Sequence, residues 1–275
     1  MNKLKEKIEE RINKQQEIKE NRLTWLTENW NNENFKSFLG DFNVDFAKGE
    51  IIDDGRNELI KINKFSKNNL MVKKFNLTRT YDKLRFCILD SKAVRSLRIA
   101  LALDEIDVKT PKPIAIVEER GKFNKILYSY YITEYIDFDY NLLNIVADDD
   151  HSRRKQVKDL LPAIARDVRK MHDAGIVHND LHAGNILVKD IDRQPEFYYI
   201  DLNRGRIKEN LSIKQRINDL ARFKLTKKEQ EIFMEEYAPK RWDKLLELMI
   251  KQRKKRKKFL HFKRSIRGKI KSLFK

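Results

Sequence analysis

One short polar segment holds side chains of this sequence that are suited to chemistry. It is IVHNDLHAGNILVKD, residues 176–190, in which the polar residues lie between two short apolar runs. Asp180 and Asn185 lie within it, and a further aspartate, Asp201, follows in the string YYIDLN. If NILVKD forms a strand that turns back to YYI, these three oxygen-bearing side chains meet at one end of a hairpin.

Such a group of oxygen atoms suits phosphoryl transfer from a nucleotide. Metal ions that bridge the phosphates prefer hard oxygen ligands, and the acceptor hydroxyl needs a carboxylate to take its proton. The kinase pattern consists of His-Arg-Asp, four further residues and Asn. The same spacing occurs here in His178-Asn179-Asp180, which is followed by four residues and Asn185. A polar turn with one Asp and one Asn is common, so the hypothesis depends on the later aspartate and on an upstream strand lysine.

The first half of the chain is expected to position these residues with a sheet. From about Asn43 short alternating runs joined by tight turns predict three antiparallel strands. Residues 91–106 carry apolar positions at helical spacing, with Ser91 placed as the N-cap. Residues 110–119 and 126–136 predict two more strands. This half should therefore contain five strands and one helix after the third.

The second half is expected to be mainly helical. Residues 152–176 place apolar side chains on one face of a helix that ends at Gly175. Pro162 either kinks this helix or begins it. After the hairpin, the pattern is helical again from Arg216 onward. The sequence therefore predicts an α+β protein with a small antiparallel-sheet lobe and a larger helical lobe.

The catalytic string resembles a known family. VHNDLHAGNILV looks like the catalytic loop of the small-molecule branch of the protein-kinase-like superfamily, where a second histidine follows Asp-Leu. SKAVRSLRIALAL, TPKPIAIVEE, YSYYITEYI and YYIDLNRGRI are similar to the lipopolysaccharide core kinases, which phosphorylate Kdo or heptose. The resemblance covers roughly residues 43–223. It implies a two-lobed protein-kinase-like fold, ATP and Mg²⁺ as cofactors, and a lipopolysaccharide core or lipid-linked sugar as acceptor.

The resemblance also implies a role for each residue of the loop. Asp180 is expected to be the catalytic base that orients the sugar hydroxyl. Asn185 and Asp201 are expected to bind Mg²⁺ and, with it, the nucleotide. His178 and His182 do not occupy the base position, so we expect them to support the loop by hydrogen bonds.

Two further nucleotide-binding positions follow from the resemblance. Lys73, in the strand LMVKKF, is expected to hold the phosphates. Strand alternation allows only one of two adjacent lysines to face the site, and a shift by one residue to Lys74 stays open. The turn DDGRN takes the place of a glycine-rich loop, with Gly55 as its sole glycine and nearby amides available to the phosphates.

The sequence departs from the kinase pattern at three places. Asn179 replaces the arginine that reads a phosphorylated activation loop, so control by that route is not expected. The helix at residues 91–106 has Ser96 and arginines where a glutamate partner for the lysine is expected. Asp-Leu-Asn replaces Asp-Phe-Gly, and Asn203 becomes a candidate metal or phosphate contact. A membrane-associated pseudokinase, or a kinase of protein or of a soluble small molecule, therefore stays open.

Composition and charge indicate where in the cell the protein is located and how it could contact a membrane. The chain has 275 residues, 40% hydrophobic residues and a net charge of +18, and its one cysteine, Cys87, excludes an internal disulfide. Mixed charges near the N-terminus do not suit a secretory signal, and no apolar run is long enough to span a bilayer. We therefore expect a cytoplasmic protein whose membrane contact is peripheral.

The positive charge is concentrated at the C-terminus. Residues 251–275 hold thirteen lysines and arginines and no acidic residue. Apolar residues recur there every three or four positions: Phe259, Phe262, Ile266, Ile270 and Leu273. This pattern predicts a basic amphipathic helix that binds an anionic membrane surface. Nucleic acid is the less favoured partner because phosphate backbones do not explain the apolar stripe, and a solvated disordered tail stays open.

Four regions summarise the sequence. Residues 1–40 are expected to be an accessory helical segment, with a charged helix over the first thirty or so. Residues 41–138 form the N-lobe, 139–250 the C-lobe and 251–275 the tail. The predicted function is phosphorylation of a sugar hydroxyl of the lipopolysaccharide inner core by ATP, at the cytoplasmic face of the membrane.

Overall fold

A seven-stranded antiparallel sheet dominates the first half of the protein. The computed structural model describes residues 3–40, 49–65 and 68–273. In space the strands run in the order β1-β2-β6-β7-β5-β4-β3. Their bounds are β1 Gln16–Lys19, β2 Arg22–Leu26, β3 Glu50–Asp53, β4 Glu58–Phe65, β5 Asn68–Lys74, β6 Pro113–Arg120 and β7 Ile126–Glu134. The five strands predicted for this half are present, although residues 43–48 of the first lie outside the described residues.

Within the described ranges, the helices that accompany this sheet are α1 Lys3–Gln15, α2 Glu33–Gly40, α3 Thr80–Arg85 and α4 Lys92–Asp104. The predicted helix at residues 91–106 is confirmed as α4, and the Ser91 hydroxyl accepts a hydrogen bond from the Val94 amide at 3.1 Å. The short α3 is absent from the sequence prediction. Alternating strand residues serve two cores, because Ile116 and Tyr131 face one cluster while Val117 and Tyr130 face another.

The N-terminal prediction is wrong beyond residue 15. The expected charged helix of about thirty residues ends at Gln15, and β1 and β2 follow as a hairpin. β2 pairs with β6, where Trp25 lies opposite Ile116 and is 1% exposed. Burial of this large aromatic side chain favours a strand over the locally helical pattern. The segment before residue 40 is therefore not wholly helical, since it adds two strands to the main sheet.

The second half is mainly helical. Its elements are β8 Tyr140–Asn141, α5 Leu142–Ala147, α6 Val157–Asp173, β9 Ile176–Val177, β10 Ile186–Lys189, β11 Glu196–Tyr199, β12 Arg206–Ile207, α7 Ile213–Leu220, α8 Lys227–Tyr237 and α9 Trp242–Leu273. β10 and β11 form the predicted hairpin, with Ile186 opposite Tyr199. The α+β organisation, with a sheet-rich half before a helical half, is confirmed.

Helix α6 carries the chain to the polar segment. Its apolar face is buried in the main core with Phe233 and Met234 of α8. The helix runs through Pro162, so this residue does not begin it. Gly175 follows at φ 80°, a left-handed conformation that costs glycine little, and turns the chain into β9.

The predicted tail is continuous with the helical lobe. The expected boundary between residues 250 and 251 falls inside α9, a 32-residue helix. Just beyond that boundary, Arg253 donates hydrogen bonds to the carbonyl of Phe223 at 2.7 Å and to Oε1 of Gln230 at 3.0 Å. Further along, Phe259 and Phe262 are 60% and 63% exposed. The tail is helical to Leu273, and residues 274–275 lie outside the description.

Candidate active site

The polar segment follows β9 and is fixed by a buried carboxylate on α7. Asp219 is 2% exposed and accepts hydrogen bonds from the amides of His178 at 2.8 Å and Asn179 at 2.7 Å. Burial alone raises the pKa of Asp219, but the hydrogen bond and charge of His172 outweigh burial, so the pKa is lowered. Asn179 adopts φ 62°, which asparagine tolerates better than most residues. An ionised Asp219 therefore holds the start of the loop.

The two histidines bond within the loop. Nε2 of His178 lies 3.1 Å from the carbonyl oxygen of Ile200, and its Nδ1 accepts from the Asp180 amide at 3.3 Å. Nδ1 of His182 accepts from the Gly184 amide at 3.1 Å. Burial lowers the pKa of His178, which favours the neutral ring. These contacts agree with the expected supporting role.

Asp180 is bound by two arginines that the sequence prediction missed. Its Oδ1 lies 3.1 Å from Nη1 of Arg204 and 3.0 Å from Nη1 of Arg222. Arg204 follows Asp201 in the chain, whereas Arg222 lies just beyond the end of α7. The two guanidinium groups fix the orientation of the carboxylate between two segments of the helical half.

Asn185 and Asp201 are brought together with Asp180, as expected from their spacing. The side-chain nitrogen Nδ2 of Asn185 donates a hydrogen bond to the backbone carbonyl of Asp180 at 2.9 Å. The Ile200 amide donates to the Asn185 carbonyl at 3.0 Å, which ties the loop to the residue before Asp201. Asp201 itself has φ 58° and ψ 49°, a left-handed conformation that its neighbours must hold in place.

The structure distinguishes between the two adjacent lysines. Nζ of Lys73 lies 2.6 Å from Oδ1 of Asp201, whereas Lys74 pairs with Glu58 at 3.2 Å. Burial alone raises the pKa of Asp201, but the charge and hydrogen bond of Lys73 outweigh it and the pKa is lowered. The side-chain nitrogen Nδ2 of Asn203 also donates a hydrogen bond to Oδ1 of Asp201. Lys73 is therefore the lysine that faces the loop.

Helix α4 brings a second lysine toward this site. Nζ of Lys73 and Nζ of Lys92 lie 5.4 Å and 5.9 Å from the centroid of the Phe75 ring. Ser96 bonds to the backbone of its own helix, with its hydroxyl 2.8 Å from the Lys92 carbonyl. Within residues 3–40, 49–65 and 68–273, no glutamate pairs with Lys73. The departure seen in the sequence is thus present in the structure, where Asp201 pairs with the lysine.

The glycine turn differs from its expected form. Gly55 lies between β3 and β4, and its amide donates to Oδ1 of Asp53 at 3.1 Å. The Gly55 amide itself already bonds to an aspartate of the same turn, while the availability of the neighbouring amides to phosphates stays a prediction. Burial lowers the pKa of Lys92 in α4, and the positive charge of Arg56 lowers it further. Arg56, at the tip of the turn, therefore lies near α4.

The donor atoms fit a magnesium ion that is also held by phosphates. The described part of the chain contains no cluster of three or more His, Cys, Asp or Glu residues able to enclose a metal. Asp201 supplies a carboxylate, and Asn185 supplies an amide oxygen because its nitrogen bonds to Asp180. Mg²⁺ is commonly bound by one or two protein oxygens together with substrate phosphates and water.

Some of these residues carry a weak sequence signal. Asp219 lies between Ile217 and Leu220 on the buried face of α7, where a charged residue is costly unless it is paired. A carboxylate on an apolar helix face is therefore the clue that could have identified it. Arg204 and Arg222 have no such signal, since arginines are frequent in this chain.

Comparisons with known proteins identify the family of this chain. A 3-deoxy-D-manno-octulosonic acid kinase of Haemophilus influenzae strain 86-028NP is 27% identical over 143 residues, 51% of this chain and 57% of the relative. The same-named protein of strain PittGG is 27% identical over 124 residues, 45% and 49% of the two chains. The chain thus matches about half the length of these curated relatives.

A solved structure supports the fold. The structure described as WaaP in complex with acyl carrier protein matches with a TM-score of 0.58 at 19% identity, over 84% of this chain and 98% of that one. This likeness confirms the expected two-lobed, kinase-like fold. The family model described as lipopolysaccharide kinase (Kdo/WaaP) family matches residues 58–248, which include every candidate site residue except Gly55. The chain therefore belongs to the lipopolysaccharide kinase (Kdo/WaaP) family.

Proposed function

We propose that this protein transfers the γ-phosphate of ATP to a hydroxyl of a lipopolysaccharide inner-core sugar. The observation that carries the proposal is the meeting of Asp180, Asn185, Asp201 and Lys73 in a member of this family. The relatives reported above are named for 3-deoxy-D-manno-octulosonic acid, which favours that sugar over heptose as the acceptor.

Asp180 is the proposed catalytic base. Arg204 and Arg222 both bind its Oδ1, so the second oxygen, Oδ2, would accept the proton of the sugar hydroxyl. A carboxylate held at one oxygen presents the other in a defined direction, and positioning supplies much of the catalysis in phosphoryl transfer. The arginines thus act by positioning Asp180.

Asn185 and Asp201 are the proposed ligands of Mg²⁺. When bound, the metal supplies charge neutralisation for the phosphoryl group. Lys73 now lies on Asp201, so nucleotide phosphates entering the site would offer it a second anionic partner. The residues near Gly55 would cover those phosphates only if the Asp53–Gly55 hydrogen bond opens.

The membrane is the proposed location of the acceptor. The basic end of α9 exposes phenylalanines among lysines and arginines, which suits the surface of an anionic bilayer at the cytoplasmic face. Within the described residues no helix has both the length and the apolar composition needed to cross a bilayer. Attachment through the tail is therefore proposed to be peripheral, and nucleic acid is the less favoured ligand of the tail.

A pseudokinase is the second candidate, favoured by the absence of a glutamate partner for Lys73 in the described chain. Such a protein would lack turnover with every acceptor. A kinase that acts on another protein or on a soluble small molecule would keep the same residues and differ only in the acceptor.

The proposed function is tested with ATP that carries a labelled γ-phosphate. Wild-type protein, Mg²⁺ and a lipid A precursor bearing 3-deoxy-D-manno-octulosonic acid should yield labelled lipid, and Asp180→Asn should abolish the labelling. Asp192→Asn is the matched control, because Asp192 is exposed and pairs with Arg153 rather than with the residues around Asp180. Label retained by Asp180→Asn would exclude the assigned base. No label with any acceptor, although ATP and Mg²⁺ raise the melting temperature, would favour the pseudokinase.

A further inference from the structure

Three arginines from separate elements lie close enough to one another for their charges to interact. Arg85 ends α3, Arg95 lies in α4 and Arg206 begins β12. The guanidinium carbons of Arg85 and Arg95 lie 5.5 Å and 5.0 Å from the centroid of the same ring, that of Phe86. Phe86 is buried, so the ring holds both side chains against the protein.

Arg206 is brought to the same place by close backbone packing. A Cβ added at the preceding residue, Gly205, would lie 2.6 Å from Cγ1 of Ile99 on α4, so only glycine allows this approach. Nη1 of Arg206 donates to the Gly205 carbonyl at 2.6 Å and the Arg204 carbonyl at 3.2 Å. These bonds orient the guanidinium group without forming an ion pair, and Asp90 compensates its charge only in part.

The three charges repel one another. Among the described residues, no carboxylate lies within ion-pair distance of any of the three, and the neighbouring Asp90 pairs with Arg98 at 2.9 Å. Burial, followed by the charges of Arg206 and Arg85, lowers the pKa of Arg95 to about 10. Burial and the charge of Arg85 lower the pKa of Arg206 in the same way.

Surface arginines usually avoid such an arrangement, because a long flexible side chain can turn outward into water. Here ring contacts and backbone hydrogen bonds keep three half-buried guanidinium groups together at an electrostatic cost. A bound anion would remove that cost, since guanidinium groups bind phosphate and carboxylate oxygens in a bidentate manner.

We propose that Arg85, Arg95 and Arg206 form an anion-binding site for a phosphate or carboxylate group of the acceptor. Arg206 follows Asp201 by five residues, so the two are at most about 18 Å apart along an extended chain. Arg204, which binds Asp180, lies on the same stretch. An acceptor of several sugars could thus place one hydroxyl at Asp180 while an anionic group elsewhere on it rests on the three arginines. The identity of the ligand as acceptor rests on the proposed function, whereas the anion site does not.

The anion site is tested first with inorganic phosphate and the full chain. Phosphate should raise the melting temperature of the wild-type protein. Arg206→Gln and Arg85→Gln should each melt higher than wild type without phosphate, because one repelling charge is gone, and should lose at least half of the phosphate-induced rise. Arg79→Gln is the matched control, since Arg79 is an exposed arginine at the start of α3 with no part in the cluster.

The phosphate-induced shifts in melting temperature decide whether the three arginines bind an anion. An undiminished response to phosphate in both variants would overturn the site. Variants that melt lower than wild type and still respond fully would indicate that the arginines only support packing. If one variant fails to fold, the other gives the same comparison, because the two residues lie on different elements.

The source of the anion is tested by kinetics. Arg206→Gln should raise KM for an acceptor carrying phosphate or carboxylate about tenfold, because a hydrogen bond to a charged group is lost, while KM for ATP stays constant. Inorganic phosphate should compete with the acceptor in wild-type protein. Phosphate that raises the melting temperature without competing would refute the acceptor as ligand. Absence of turnover in the wild-type protein would count against the proposed function and leave the phosphate result intact.

Discussion

Lys73 and Asp201 form an ion pair across 128 positions of sequence, which links the sheet to the end of the hairpin that follows the proposed catalytic loop, residues 178–185. The aspartate is mostly buried in a left-handed conformation, so its charge depends on this lysine. Sequence spacing identified Asp180, Asn185 and Asp201 as candidates, because these three residues flank one hairpin, whereas Lys73 was identified only through the family resemblance. It could not identify Asp219, whose contacts with the loop span about forty residues.

Replacing Lys73 by methionine should affect both the stability of the protein and phosphate transfer. Removal of the lysine leaves a buried carboxylate unpaired, so the free energy of unfolding should fall by about 2 kcal/mol and labelled-phosphate transfer at least about 100-fold. Lys74→Met is the control, because Lys74 pairs with Glu58 and not with the loop. Urea denaturation and the transfer assay measure the two effects. Equal losses of transfer in the two variants would contradict the assignment of Lys73.

Asp167 provides a pH-dependent test of stability. Burial raises the pKa of this carboxyl to about 6, and the Tyr199 hydroxyl lies 3.4 Å from Oδ2. The folded state therefore binds the proton more tightly than the unfolded state, whose pKa is the ordinary 3.8. This group adds stability when it is protonated, and that stability is lost as the pH rises from about 4 to above 6.

At pH 8 the free energy of unfolding of Asp167→Asn should consequently exceed that of wild type by on the order of 2 kcal/mol, and its melting temperature should be higher. The difference should shrink as the pH falls through 6 and vanish near 4. Thermal melts of the two proteins across this range measure it. A constant difference at every pH would show that ionisation of Asp167 does not affect stability.

At the scale of elements, α7 acts as the support of the catalytic loop. Its buried Asp219 accepts two loop amides, and His172 of α6 lies 3.4 Å from the same carboxylate. A single side chain therefore connects two helices with the segment that holds Asp180. The loop geometry depends on α7 as much as on the motif itself.

Asp219→Asn should disrupt this connection. An asparagine side chain has one acceptor oxygen, so one of the two buried amides loses its partner and stability should fall by about 3 kcal/mol. Phosphate transfer should fall as well, because the loop start is no longer fixed. Asp173→Asn is the control, since Asp173 forms a surface pair with Arg216. Unchanged urea denaturation of Asp219→Asn would show that the loop does not need this anchor.

Element prediction succeeded where a local pattern agreed with burial, as for α4 with its Ser91 cap and for the β10–β11 hairpin. It failed for residues 16–26, where mixed charges favour a helix locally. The hairpin there gains stability from β6, about ninety residues later, and a contact so distant leaves no periodic trace in the segment itself.

At the scale of the whole molecule, α9 joins the helical lobe and the tail in one helix. Leu245, Leu246 and Met249 lie in the core, and Arg253 bonds to the end of α7 and to α8. The four-region division of the sequence missed this continuity because the charge composition changes at residue 251 while the helix does not. A cut at residue 250 would remove structural contacts together with the proposed membrane-binding region.

Truncation after residue 258 is therefore the cleaner test of the tail. It keeps Arg253 and removes the exposed phenylalanines with the distal basic residues, so the melting temperature should stay close to wild type. Sedimentation with anionic vesicles should fall severalfold, and wild-type sedimentation should weaken as salt rises. Truncation after residue 250 should instead lower the melting temperature. Full vesicle binding by the chain that ends at 258 would exclude the tail as the attachment.

The continuity of α9 has a geometric consequence for the proposed reaction. Residues 251–273 extend about 33 Å at 1.5 Å per residue, without an intervening linker. If this segment lies on the bilayer, the catalytic loop cannot swing freely above it, because the same helix is packed in the core. The helix would then fix the distance between Asp180 and the bilayer surface. Only sugars at that distance from the lipid would come within reach of Asp180.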